Sequence, residues 1–393
     1  MSIHTFHPEI LREYDIRGHF GKTLTEADAF EVGNRFAQKL AYRAHVCIAR
    51  DGRFSSPLLL EALRQGLCQQ GCRVTDIGIG PTPMLYFAVE HLNADAGVMV
   101  TGSHNPSDEN GLKFALKDGL FYGDDIRAFN TTPTAAPVEH PGTTEECDLQ
   151  GIYVQRLLKD YRHGKRPLNI VWDPGHGAAA DVIAALLPQL QGNHTLINGV
   201  IDGSFPAHHP DPTIPENLEQ LIAEVKGRGA DLGIAFDGDG DRLGVVDSQG
   251  RILWGDQMMV FFAQDVLARY PGATIIADVK ASQLLFDEIA RLKGNPVMAP
   301  TGHSVIKAAM AETGALLAGE MSGHMFFADE YYGFDDAVYA ALRFLRFLQD
   351  QDHSLDQLYD NLVHHFSTPE IRIPCEDHKK FALVERIKQQ LHG

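Results

Sequence analysis

The stretch Phe236-Asp-Gly-Asp-Gly-Asp-Arg242 sets three carboxylates, Asp237, Asp239 and Asp241, at alternating positions. The glycines between them let the backbone bend so that all three can face one point. Three carboxylates on one loop form an oxygen-donor site for a hard cation, Mg²⁺ or Ca²⁺. Like charges this close repel unless a cation sits among them, which favours a metal over a solvated acidic turn. An EF-hand is excluded, because its loop needs Gly at position 6 and Glu at position 12, where Arg242 and Ser248 stand. A carboxylate-held Mg²⁺ keeps open positions that phosphate oxygens fill, and Arg242 adjoins them.

A second centre lies in Val98–Phe114, VMVTGSHNPSDENGLKF, where an apolar run stops and Ser103 and His104 follow at once. A strand ending in a glycine turn can present a side chain at the carboxyl edge of a sheet, where α/β proteins bind ligands. Ser103 is then a nucleophile with His104 beside it; the rival reading is a turn followed by a helix cap. The stretch lacks the G-x-S-x-G elbow of hydrolases and the Walker lysine of nucleotide binders. In GEMSGH, Glu320, Ser322 and His324 alternate in a glycine loop, a set that suits the hydroxyls of a polyol or an ordinary polar loop. YDIRG offers Tyr14 and Arg17 in a glycine turn, and TGHS offers His303, which also suits a helix start.

The elements that must hold these residues alternate. HVCIAR (45–50), CRVTDIG (72–78) and AGVMV (96–100) read as strands, with helices over 57–70 and 83–92 between them. Such alternation predicts α/β units with right-handed crossovers. Residues 130–146, rich in Pro, Thr and Gly, read as a linker. LNIVW, a weaker strand at 194–199, a helix over 215–229, and strands at 231–236 and 242–247 build a second unit. A third has strands at 273–278, 295–299 and 315–320, and helices over 282–294, 303–314, 337–351 and 354–366. The remainder from 367 holds one strand and one helix.

With 393 residues the chain needs several cores. Its net charge of −18, from 52 acidic against 34 basic side chains, argues against nucleic acid as a partner. No stretch approaches 18 consecutive apolar residues, so no membrane span is expected. The first residues have no basic and apolar leader, and five scattered cysteines fit reduced thiols, so a cytoplasmic location is expected. Cys68 and Cys72 have no matching pair nearby and are not read as a metal site.

Taken together, TGSHNP, DGDGDR and GEMSGH, in this order, with YDIRG near the start and GLKF (111–114) after the serine, resemble the α-D-phosphohexomutase family, in its phosphomannomutase/phosphoglucomutase branch. The resemblance implies three consecutive similar α/β domains with mixed sheets around a central cleft: 1–145, 146–254 and 255–366. Residues 367–393 would be only part of a fourth domain, since the family's C-terminal phosphate-clamping loop has no counterpart here. It implies that Ser103 carries a phosphoryl group and, with Asp237, Asp239 and Asp241, holds one Mg²⁺. His104 would orient the serine loop. Lys113 and Arg17 would serve proton transfer and charge stabilisation. Tyr14, Arg242, Lys280, His303, Glu320, Ser322 and His324 would bind substrate. The implied reaction interconverts hexose 1-phosphate and hexose 6-phosphate, of mannose, glucose or both, through a hexose 1,6-bisphosphate that also activates. Hexose phosphates are the implied partners, and the chain a monomer or weak homodimer. A sugar-phosphate phosphatase and a non-catalytic sugar-phosphate binding protein are the alternatives.

Overall fold

A computed structural model of the chain describes residues 4–362, 373, 375 and 379–391. The chain divides into two units, Met1–Leu362 and Val363–Gly393. In the second, the helix Lys380–Leu391 is present; most of the stretch before it, where a strand was expected, lies outside the described residues. Residues 363–366, the end of the helix expected from 354, lie outside them too, and that helix is Leu355–Asp360.

The first unit carries three mixed sheets, as the alternating pattern predicts. The first sheet has the strand order Ile16–His19, Glu109–Leu116, Ala96–Val100, His45–Arg50, Arg73–Ile79, Thr144–Glu146. Its last four strands run parallel and the first two pairings are antiparallel. The run Ala96–Val100 is buried throughout, because helices cover both faces of a parallel sheet. The second sheet runs Ile252–Leu253, Leu243–Asp247, Leu232–Phe236, Leu168–Asp173, Gly192–Leu196. The third runs Asn295–Ala299, Thr274–Asp278, Leu317–Gly319, Met325–Phe327.

The expectations differ from the structure in several places. Arg17 lies within a strand rather than a glycine turn, because Ile16–His19 pairs antiparallel with Glu109–Leu116. The turn after Ser103 leads into that same strand rather than a helix. Residues Thr144–Glu146, read as linker, add a parallel strand beside Arg73–Ile79. Helices Glu26–Ala37 and Gly255–Arg269 lie outside the expected elements, although the first is amphipathic and starts on a Thr25–Asp28 capping box.

One continuous apolar core joins the three sheets. It runs from Met99 and Phe87 through Trp172, Ile234 and Phe236 to Ile275 and Phe344. Trp172 stacks on Phe236 with ring centroids 6.2 Å apart. This shared core lets loops from three sheets meet with fixed geometry. Among the described residues no helix is long and apolar enough to cross a membrane.

Candidate active site

Ser103 follows the buried strand Ala96–Val100 and is 1% exposed. Its φ of +49° lies in the left-handed region, which costs a non-glycine residue of order 1 kcal/mol. The surrounding loop imposes it. The Ser103 amide donates to Thr101 Oγ1 (2.8 Å), and that hydroxyl donates to Asp51 Oδ2 (2.8 Å). The fully buried Arg53 guanidinium, paired with Asp51 at 3.1 Å, donates to the carbonyls of Ser103 (2.7 Å), Asn105 (2.7 Å) and Glu109 (3.0 Å), and also to that of Pro106. A single side chain therefore ties down the whole turn.

From this turn the Ser103 hydroxyl donates to Asp237 Oδ2 (3.0 Å) and stands 3.1 Å from His104 Nδ1. Gly238 allows this approach, since a Cβ there would overlap the Ser103 carbonyl oxygen. Burial and the nearby cations Arg242, Arg17 and Lys113 push the His104 imidazole far below its usual pKa. His104 is thus neutral and a poor proton acceptor.

Asp237, Asp239 and Asp241 are all at most 1% exposed, with ligand oxygens mutually within 4.8 Å. Burial and the other two carboxylates raise Asp237 well above the carboxylate range. Against the cost of burial, Lys113 holds Asp241 well below that range, with His324 assisting. Lys113 Nζ donates to Asp239 (2.7 Å) and Asp241 (2.5 Å). Burial disfavours its charge, but these two carboxylates prevail and keep the ammonium above its ordinary value. Lys113 therefore holds positive charge against the aspartate loop in this arrangement. Arg17, 5% exposed, donates to Asp15 (2.7 Å) and the Thr101 carbonyl (2.9 Å), and feels Asp239 and Asp241.

The third sheet supplies the far wall. His324 bridges Glu320 (Nδ1 to Oε2, 2.8 Å) and Asp241 (Nε2 to Oδ1, 3.1 Å). Burial would lower its proton affinity, yet these two carboxylates raise it to about 10. Ser322 Oγ is 3.0 Å from His324 Nδ1, and Arg242 Nε is 3.4 Å from His324 Nε2. The Glu320 Oε1 accepts from the Gly302 amide (2.5 Å). Tyr14 donates to the Thr301 carbonyl (2.9 Å), and its ring lies 6.1 Å from that of His303, itself 6.0 Å from His324. His303 opens the helix His303–Thr313.

The structure thus joins Ser103, His104, Lys113, Arg17, the three aspartates, Arg242, Glu320, Ser322, His324, His303 and Tyr14 in one network. Lys280 lies just past the end of a strand of the third sheet. It is exposed, two residues past the strand Thr274–Asp278, where its charge favours the ionised Asp278. Four participants escaped the sequence reading: Asp51, Arg53, Thr82, whose amide donates to the Asp239 carbonyl (2.8 Å), and Asp211, 4.0 Å from Arg242. For the first two a signal existed, since the strand His45–Arg50 also ends at the carboxyl edge of its sheet, directly before Asp51.

Fold and centre together are those of a phosphohexomutase. Models of phosphoglucomutase/phosphomannomutase α/β/α domains I, II and III match residues 8–129, 152–250 and 254–366. A phosphomannomutase/phosphoglucomutase of Pseudomonas putida is 44% identical over 97% of this chain and 82% of its own length. A phosphoglucomutase of Neisseria gonorrhoeae is 44% identical over 93% of this chain and 80% of its own. The crystal structure of a phosphoglucomutase/phosphomannomutase family protein from Burkholderia thailandensis superposes with a TM-score of 0.86 at 41% identity, covering 93% of this chain and 82% of that one. The chain belongs to the phosphoglucomutase/phosphomannomutase family.

Proposed function

We propose that the chain interconverts the 1- and 6-phosphates of glucose and mannose, with Ser103 as the phosphoryl carrier and a hexose 1,6-bisphosphate as intermediate and activator. The observation that carries this reading is the buried Ser103 hydroxyl, 3.0 Å from the carboxylate cluster in a backbone conformation that an arginine brace enforces.

Three carboxylates plus the serine oxygen are a hard donor set, and Asp239 Oδ1 is buried with no hydrogen-bond partner. The set fits Mg²⁺, which when bound supplies positive charge beside the transferring phosphoryl group. Lys113 and Arg17 hold positive charge at the same place. A sugar hydroxyl oxygen forms the new bond to phosphorus as the bond from phosphorus to Ser103 Oγ breaks. The sugar hydroxyl loses one proton and Ser103 Oγ ends with one, so none is consumed or released overall, and His104 Nδ1, 3.1 Å from Oγ, orients that oxygen. Glu320 and Ser322 would accept from and donate to sugar hydroxyls. His303, His324, Tyr14, Arg242 and Lys280 would line the sugar-phosphate path.

The test is Ser103→Ala in a coupled mutase assay with glucose 1,6-bisphosphate present. Turnover should fall by several orders of magnitude while the melting temperature is kept, because the lost group acts only in the chemistry. The intact mass of the parent protein should carry one phosphate that the variant lacks. Full turnover in the variant would exclude Ser103 as the carrier.

A further inference from the structure

Behind the three-aspartate loop the structure holds a second donor cluster. Asp241, His324 and Asp335 are all at most 6% exposed, and one ligand atom from each lies within 4.8 Å of the others. Asp335 comes from the segment before the helix Ala337–Gln349, so the three donors come from three separate loops. Its Oδ1 accepts from Lys307 (3.1 Å), but its Oδ2 is buried without any hydrogen-bond partner. A second buried polar atom is also unpaired. The Tyr86 hydroxyl is buried without a partner, and the charges that bear on it are, in order, those of Asp335, Asp241 and Asp239. Buried polar atoms left unpaired are costly, and Asp335 Oδ2 is such an atom on a member of the donor cluster.

We infer that Asp241 Oδ1, His324 Nε2 and Asp335 Oδ2 form a second metal site, distinct in chemistry from the three-aspartate loop and selective for a borderline divalent ion of the Zn²⁺ class. Mg²⁺ prefers oxygen donors, whereas an imidazole with carboxylates suits zinc. The site already has the outer support such sites use. Glu320 accepts from His324 Nδ1 at 2.8 Å, which fixes the ring, and an ion would replace the Nε2 proton that now faces Asp241 Oδ1. Carboxylate rotation closes the present separations onto bonds of about 2.0–2.2 Å. Asp241 can serve both sites, because its Oδ2 faces Lys113 and its Oδ1 faces His324. Arg242 Nε, 3.4 Å from His324 Nε2, must swing aside. An ion there would pin His324 to the carboxylate loop and withdraw it from the sugar, so zinc would inhibit; only this consequence rests on the mutase reading.

The test loads the whole chain with Zn²⁺ in a large excess of Mg²⁺, followed by dialysis and metal analysis. One zinc should remain per chain. Asp335→Asn should weaken zinc binding by at least about tenfold and leave Mg²⁺ affinity within about twofold, since only the second site loses a ligand. X-ray absorption at the zinc edge of the unmutated protein decides the matter even if the variant folds poorly. Imidazole scattering places zinc on His324; an all-oxygen shell places it in the three-aspartate loop and overturns the proposal. So would zinc lost to excess Mg²⁺, or equal zinc affinity in a folded Asp335→Asn.

Discussion

Among single residues, Ser103 and its brace differ in how they show themselves in the sequence. Ser103, the three aspartates and the Glu320–His324 pair were legible because each set sits within a few adjacent residues, where chemistry-bearing types at short spacing stand out. Arg53 was not legible, since it acts on a turn 50 residues away through backbone carbonyls that carry no sequence signature. Thr82, 157 residues from its partner Asp239, was hidden for the same reason. Arg53 yields a prediction. Arg53→Met removes four carbonyl contacts and strands Asp51, a buried charge that loses its partner. Breaking such a pair costs about 3–5 kcal/mol. The variant should melt well below the parent. Even where circular dichroism shows it folded, its turnover should fall by more than tenfold, because Ser103 no longer keeps its left-handed backbone. Normal kcat in the folded variant would show that the brace is structural only.

Among elements, strands with buried runs were read correctly because parallel strands covered on both faces are nearly continuous in apolar residues. Glu109–Leu116 was seen only as a motif. Its polar Asn110 and Lys113 break the apolar pattern because Asn110 donates to the Ser55 and Ser56 hydroxyls and Lys113 to the aspartate loop. Thr144–Glu146 is exposed and polar, so only its pairing with Arg73–Ile79 reveals a strand, and we place the first domain boundary beyond Glu146. At this scale the decisive contact is between two loops rather than two side chains. Gly238 touches the Ser103 backbone, and Gly238→Ala would push the serine turn off the aspartate loop. Overpacking costs about 1–3 kcal/mol, so the variant should still fold. A displacement near an ångström between reacting groups costs about a hundredfold in rate. The variant should therefore lose activity and Mg²⁺ affinity together, with melting temperature lowered only modestly. Titration of activity against Mg²⁺ checks this, and an unchanged midpoint with unchanged turnover would contradict the contact's role.

At the scale of the whole molecule, what matters is that three sheets share one core, which the sequence could suggest only through the recurrence of the α/β pattern. A buried polar contact helps to lock that arrangement. Tyr153, on the helix Gln150–Leu158 that precedes the second sheet, donates to Asp336 Oδ2 at 2.7 Å, and Asp336 caps the helix Ala337–Gln349 of the third. Tyr331 donates to the same oxygen at 2.8 Å, and the Tyr339 amide donates to Oδ1 at 2.9 Å. Burial pushes Asp336 up to about 6, and these three donors restrain the rise. A carboxyl raised on folding stabilises the fold fully below its unfolded value of about 3.9 and loses that contribution as pH climbs through about 6. Above that pH Asp336 is ionised, and each donor then makes a charge-assisted bond worth roughly 1.5–3 kcal/mol; below it the bond is neutral, worth roughly 0.5–1.5 kcal/mol. Tyr153→Phe keeps the ring and removes one donor to the charged form. The variant should lose about 1 kcal/mol more stability at pH 8 than at pH 5, because only at the higher pH is the lost bond charge-assisted. Its own Asp336 should also titrate higher than the parent's. Guanidinium denaturation of both proteins at the two pH values measures the difference directly. A penalty equal at both, or larger at pH 5, would mean that Asp336 does not change charge in this interval and that the contact between Tyr153 and Asp336 is an ordinary neutral hydrogen bond.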